Sequence, residues 1–206
     1  MTAPCKVAAI VLAAGRSTRF VGNKLIEPID GEAMVARVVA LAIASGADPI
    51  IVVTGFEATR VAAVLQRLNV NVVHNPEYEE GMSTSLRAGI RAVPPECDGA
   101  IIVLGDMPRV QARDIAKLIA AFGEFGRESI CLPVKDGRRG NPVLWGAAYF
   151  TEMMAISGDV GARELLTRHA DKVREVQVES TGIFADVDTP NDLDGVRMEA
   201  GQSGLP

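Results

Sequence analysis

Polar and charged residues gather immediately after apolar runs along this 206-residue chain, and their types suit phosphate chemistry. Val7–Ala13 is followed by Gly15, Arg16, Ser17, Thr18, Arg19 and Lys24. A glycine behind a strand lets backbone N–H groups approach an anion, and Arg and Lys add donors and charge. The stretch is neither GxGxxG nor GxxxxGK[ST], so neither nucleotide fingerprint applies as written. In Leu104-Gly105-Asp106-Met107-Pro108 a single carboxylate ends an apolar strand. Such a group is costly without a partner, and the partner is either a divalent metal or a helix N-terminus. Asp186 and Asp188 share one face if their segment is extended. Two carboxylates from distant segments, Asp106 and Asp188, could hold Mg²⁺, which accepts one or two carboxylates and keeps water and phosphate as its other ligands. Asn75-Pro76 leads to Gly81, Met82, Ser83, Thr84 and Ser85, hydroxyls at a helix start that suit a nucleobase edge, an anion or plain capping. In Asp136–Trp145, Arg138 and Arg139 either cap a second phosphate or form a solvated hairpin tip. His74 and His169 are the only histidines, and neither sits in a nucleophile elbow, which argues against acyl transfer.

These residues need a scaffold that brings them to one edge. Continuous apolar runs at 7–13, 49–54, 70–74, 100–104 and 129–133 read as strands covered on both faces. Helical spacing lies between them at 34–44, 59–68, 83–92 and 113–122, so strand and helix alternate and predict a doubly wound α/β sheet. A later helix is expected over 160–169, with Asp159 as its cap. The last helix starts at Thr189, with Pro190 in its first position and Asp192 completing a near capping box. Ligands of open α/β sheets sit beyond the carboxyl ends of the strands, where the polar groups above converge.

A single domain over residues 1–199 is expected, followed by a flexible tail, 200–206, with almost nothing to bury. The net charge is −5 with 48% hydrophobic residues, so no basic field is available for nucleic acid or an anionic membrane. Cys5, Cys97 and Cys131 are odd in number and widely spaced, against a disulfide framework or a structural zinc and in favour of a reducing cytoplasm. The first apolar run is too short to span a membrane.

The ordered series "LAAGRSTRF…NKL", "NPEYEEGMSTSLRAG", "LGDMP", "GRRGNPVLW" and "DVDTPNDL" resembles the successive motifs of the MobA-like nucleotidyltransferases over about residues 6 to 197. That resemblance implies a Rossmann-like three-layer α/β/α fold with a mostly parallel sheet. It implies Mg²⁺, CTP or another nucleoside triphosphate, and a molybdopterin-type phosphate acceptor that receives CMP as pyrophosphate leaves. A molybdoenzyme or cofactor-insertion partner is a further implication. By motif, Leu12, Ala13, Ala14, Gly15, Arg16, Arg19 and Lys24 match the nucleotide loop, joined by Gly105. Arg19 and Lys24 fall on the triphosphate, and with Asp106 they are the expected catalytic residues. Asn75 and Ser83 to Ser85 fall around the base, Asp106 and Asp188 on the metal, and Gly140, Asn141 and Pro142 in the acceptor region. "LAAG" resembles the cytidylyl rather than the guanylyl branch. Two departures stand out: Gly22 sits one place late in Arg19-Phe20-Val21-Gly22-Asn23-Lys24, and Asn141 replaces the usual His before Pro142. Guanylyl transfer, transfer to another phosphorylated metabolite, and a non-catalytic carrier of nucleotide or cofactor are the alternatives. A nicotinamide-dependent oxidoreductase is disfavoured by the missing glycine fingerprint.

Overall fold

The computed structural model describes residues 5–20, 22–158 and 162–203, with side chains described through Glu199. In chain order the elements are β1 (Val7–Ala13), β2 (Pro28–Ile29), β3 (Glu32–Ala33), α1 (Met34–Ala44), β4 (Ile50–Thr54), α2 (Ala58–Leu65) and β5 (Asn71–His74). Then follow α3 (Met82–Arg91), β6 (Gly99–Leu104), α4 (Ala112–Phe125), β7 (Ile130–Lys135), β8 (Arg138–Arg139) and β9 (Val143–Gly146). The chain finishes with α5 (Phe150–Met154), α6 (Arg163–Arg168), β10 (Val173–Gln177) and α7 (Pro190–Ser203). The main sheet runs β10-β7-β9-β6-β1-β4-β5, with β8 hairpinned onto β7, while β2 and β3 form a separate small ribbon.

Period-two alternation decides which layer each strand residue enters. Val7, Ala9, Val11 and Ala13 of β1 face a core built with α1, α2 and α4, where Val39, Leu65, Leu118 and Phe122 are buried. Ala8 and Ile10 face the opposite core, built with α3, α5 and α6 around Leu86, Ile90, Trp145, Met153 and Leu165. Helices cover both faces, so the central strands are apolar throughout, as a mostly parallel sheet requires. A third cluster, Ile29, Met34, Val187, Leu193 and Val196, packs α7 beside β2, and Phe20 rests against it.

Five strands form close to the apolar runs of the sequence, and three further strands, β8, β9 and β10, complete the sheet. β9 runs antiparallel between β6 and β7. β10 pairs parallel with β7 at the edge, with none of its residues buried. The segment around Asp186 and Asp188 is not a strand: Val187 N–H donates to Asp106 C=O at 2.9 Å and Asp188 N–H donates to Asp192 Oδ2 at 3.1 Å. Asp186 is exposed, and the ion pairs with Arg19 and Lys24 are made by Asp188. The cap at Thr189 forms as a reciprocal box, with the Thr189 N–H and hydroxyl donating to Asp192 Oδ2 at 2.7 and 2.8 Å and Asp192 N–H donating to Thr189 Oγ1 at 3.3 Å. These bonds hold the exposed Asp192 carboxyl below its ordinary pKa. α7 continues to Ser203, four residues into the segment expected as a tail. Asp159, the expected cap of the sixth helix, and residues 160 and 161 lie outside the described residues. No helix among the described residues is long and apolar enough to cross a membrane.

Candidate active site

The carboxyl ends of β1, β4 and β6 are level. Leu12 pairs with Leu104 and with Val53, and Ala13 pairs with Thr54. Gly105 extends the β1–β6 pairing by donating its N–H to Leu12 C=O at 2.9 Å. A Cβ there would stand 2.8 Å from the same carbonyl, so glycine lets the Asp106 turn hug β1.

The loop after β1 is fixed at several points before it reaches Lys24. Ser17 sits at φ +52°, a left-handed conformation that a serine adopts at some cost, and its carbonyl accepts from Phe20 N–H at 2.8 Å. Its hydroxyl oxygen accepts from Lys24 N–H at 3.2 Å. The late glycine, Gly22, takes φ +97°; Val21 lies outside the described residues. Buried Asn23 caps a short 3₁₀ helix (Lys24–Ile26) by accepting from Leu25 N–H at 3.1 Å, and its amide donates to Phe56 C=O at 3.2 Å.

These anchors aim Lys24 at both distant carboxylates. Its Nζ lies 2.8 Å from Asp106 Oδ2, 3.1 Å from Asp188 Oδ1 and 2.7 Å from Val187 C=O. Only 11% of the lysine side chain is exposed. Arg19 Nη2 meets the other oxygen of Asp188, Oδ2, at 3.0 Å from a mostly exposed position. Arg16 pairs across the cleft with Glu79 at 3.1 Å. Asp106 Oδ1 is buried with no hydrogen-bond partner. Two hard carboxylates meeting at one point, one of them with a free inward oxygen, fit a hard divalent cation that keeps water or phosphate in its remaining positions. No group of three or more His, Cys, Asp or Glu that could hold a metal occurs among the described residues.

Lys24 and Asp106 line one cavity, which shares Leu12, Met82 and Leu104 with a second. The first, about 430 Å³, is lined by Ala14, Gly15, Arg16, Thr18 and Lys24 on one side, Tyr78, Glu79, Gly81 and Ser85 on the other, and Asp106 at its end. The second, about 280 Å³, is walled by Leu86, Ile102, Val143, Trp145 and Leu166, with Asn141 and Arg163 as its polar groups. Gly140 and Asn141 are set by a neighbouring 3₁₀ helix (Thr181–Phe184): Asn141 N–H donates to Ile183 C=O at 2.9 Å, and a Cβ on Gly140 would come within 2.6 Å of that oxygen. The Asn141-Pro142 peptide is cis.

Several residues singled out in the sequence fall outside the walls of these two cavities. Asn75 is turned inward, its amide donating to Thr84 Oγ1 at 2.8 Å and Ser85 Oγ at 3.0 Å while its carbonyl accepts from Glu77 N–H. It ties the start of α3 to the preceding loop. Ser83 is buried and its hydroxyl has no hydrogen-bond partner. Ala13 belongs to the core. Arg139 is engaged by Glu175 at 2.8 Å and Arg138 stacks 4.6 Å over Phe184, which makes this turn a hairpin tip. His169 pairs with Glu152 at 3.0 Å, away from both cavities. The Val187 carbonyl, the Tyr78–Glu79 wall, Trp145 and Arg163 join the site without a sequence signal that marks them. The first is a backbone group without any signature, and the apolar walls have the pattern of ordinary core.

Comparison with known proteins identifies the family. The MobA-like NTP transferase domain matches residues 9–173. The purine catabolism protein PucB of Bacillus subtilis (strain 168) is 28% identical over 199 residues, covering 91% of this chain and 94% of its own. The molybdenum cofactor cytidylyltransferase of Escherichia coli (strain K12) is 28% identical over 185 residues, covering 89% and 92%. The crystal structure of Rv0371C from Mycobacterium tuberculosis H37Rv in complex with manganese superposes with a TM-score of 0.80 at 26% identity, covering 94% and 98%, so divalent-metal binding occurs among the relatives. By the family match over most of its length and by its fold, the chain belongs to the MobA-like NTP transferase family and is a nucleotidyltransferase.

Proposed function

We propose that this protein transfers CMP from CTP to the phosphate of a molybdopterin-type acceptor and releases pyrophosphate, with Mg²⁺ as the metal. The observation that carries the reading is the pair of abutting cavities, one charged and lined by Asp106 and Lys24, the other largely apolar, which share Leu12, Met82 and Leu104. A triphosphate suits the first. A flat, largely apolar acceptor carrying a phosphate suits the second, where Trp145 and Leu166 offer surface and Asn141 and Arg163 offer hydrogen bonds. The similar protein from E. coli carries this activity in its name.

In this account an acceptor phosphate oxygen attacks the α-phosphorus of CTP in line with the bond to the β-phosphate oxygen. One P–O bond forms, the other breaks, and pyrophosphate leaves with the electron pair. A phosphate monoester is already anionic near neutral pH, so no general base is needed, in keeping with the absence of histidine from both cavity walls. The chain's work is to hold the two reactants in register and to meet charge. Asp106 and Asp188 would hold the cation, which when bound supplies charge neutralisation at phosphate oxygens. Arg19 and Lys24 stabilise the charge that accumulates on the departing pyrophosphate. Met82, shared by both cavities, separates base from acceptor.

The preference for cytosine rests on Ala14, whose methyl group narrows the cleft relative to a glycine; such small steric differences discriminate by about 1–3 kcal/mol. Asn141 in place of the family's histidine favours, as second reading, the same transfer to a different phosphorylated acceptor.

The melting temperature of the protein with CTP, GTP, ATP or UTP, each with Mg²⁺ or with EDTA, tests the nucleotide half. Ligand at about 100 times Kd adds about 2.7 kcal/mol, roughly 5–11 °C for a chain of this size. The largest shift is expected with CTP and Mg²⁺; a larger shift with GTP contradicts the cytidylyl assignment.

A further inference from the structure

Each of the three basic residues that line or border the charged cavity is held by a carboxylate: Arg16 by Glu79, Arg19 by Asp188, and Lys24 by Asp106 and Asp188 together. Lys24 differs from the two arginines in kind. The arginines are more than half exposed and each is in one ion pair, whereas the lysine is nearly enclosed and surrounded by three oxygens. An ammonium has three N–H donors. All three are matched by Asp106 Oδ2, Asp188 Oδ1 and Val187 C=O, so in this arrangement Lys24 has none left for a phosphate. The same bonds occupy one oxygen of each carboxylate that fits a divalent cation, and an ammonium at that spot repels such a cation directly.

We infer that Lys24 is the coupling residue of the site: it serves as resident counter-ion of Asp106 and Asp188, and metal and triphosphate bind tightly only together, because their joint arrival lets the lysine exchange carboxylates for phosphate. Metal alone has to expel the lysine from its three oxygens with no anion to receive it. Triphosphate alone has to draw the lysine away and leave two carboxylates facing the phosphates. Together the charges re-pair, and each ligand raises the affinity of the other by the same factor. The triphosphate half rests on the proposed function. The metal half rests only on the Lys24 contacts and is tested without any nucleotide.

The test is a titration of nucleotide-free protein with Mn²⁺, read as free Mn²⁺ by electron paramagnetic resonance, for wild type, Lys24→Met, Lys24→Gln and Arg16→Met. Arg16→Met removes the same charge from the same cavity without touching either carboxylate. Wild type is expected to bind Mn²⁺ weakly. Both lysine variants are expected to bind it at least about tenfold more tightly, the scale of an ordinary coupling between sites. Arg16→Met should match wild type, and adding Asp106→Asn to Lys24→Met should abolish the gain. Circular dichroism of each variant checks that it is folded, and having two lysine variants keeps the test open if one is not. Tight Mn²⁺ binding by wild type, no gain in the folded lysine variants, or an equal gain in Arg16→Met each overturns the inference. Failure of every nucleotide to shift the melting temperature overturns the proposed function instead and leaves the Mn²⁺ comparison standing.

Discussion

The cavity beside Lys24 and the cavity beside Asn141 share three residues and differ in almost everything else. The first is assembled largely from residues in the turns after β1, β5 and β6, among them Gly15, Arg16, Lys24, Glu79 and Asp106, and the turn after β1 is held by backbone and side-chain hydrogen bonds. The second is walled by side chains of β6, β9, α3 and α6 that are continuous with the core containing Ile10, Leu86 and Trp145. The difference teaches where specificity in each can come from. Charge placed at a loop can recognise any triphosphate, and its removal is costly wherever the acceptor is bound. An apolar wall recognises shape, and its alteration disturbs the acceptor and the core together.

The comparison can be broken most sharply at Asp106. Asp106→Ala is expected to lose about 10²-fold or more in rate, roughly 3 kcal/mol of transition-state stabilisation, measured as pyrophosphate release at saturating acceptor. Near-normal turnover would remove the charged cavity from the chemistry. Asn141→Ala acts on the other side: the KM for acceptor is expected to rise about tenfold, in line with one lost hydrogen bond, while the CTP-induced melting shift is unchanged. Equal effects on both ligands would mean that the two cavities are one. A smaller effect is expected at the cap that starts α7 directly after Asp188. Thr189→Ala should cost about 1 kcal/mol, a fall of roughly 2–4 °C in Tm, with little change in CTP-dependent rate.

The smallest effect concerns Asp114, in the first turn of α4 and fully buried, with neither carboxylate oxygen in hydrogen-bond geometry. Burial pushes its pKa above the ordinary 3.8, outweighing the opposing pull of Arg113 and of the Gln111 and Ser180 dipoles. A folded pKa above the unfolded one means that the folded chain binds more protons, so this group's contribution to stability declines as pH rises from 3.8 through the raised value. Asp114→Asn is expected to flatten that decline in Tm measured across acidic to neutral pH. An unchanged slope would mean that the carboxylate is solvated after all.

Much of the scaffold was legible because β1, β4 and β6 are apolar on both faces and their helices repeat at the right spacing. β10 was not: Val173–Gln177 lies on an exposed edge, where its Val-Arg-Glu-Val-Gln pattern carries little burial signal. Nor was the place of β9, because antiparallel insertion between β6 and β7 is set by partners far away in sequence. In the candidate site, Lys24, Asp106 and Asp188 were legible as costly charges beside apolar runs, and the structure puts all three in contact. Asn75 shows the limit of that logic. The motif resemblance puts it around the base, and in the structure its amide holds Thr84 and Ser85, where a helix start without its own side-chain cap is tied down by a neighbour. Trp145 shows the reverse, an apolar residue that serves core and cavity at once.

The central claim is transfer between the two cavities, and the most direct measurement is pyrophosphate release by the purified protein supplied with Mg²⁺, molybdopterin and each nucleoside triphosphate in turn. The account predicts release that depends on CTP and on acceptor together, stops with EDTA and is lost in Asp106→Ala. A protein that binds CTP with Mg²⁺ but releases no pyrophosphate in the presence of molybdopterin would contradict it.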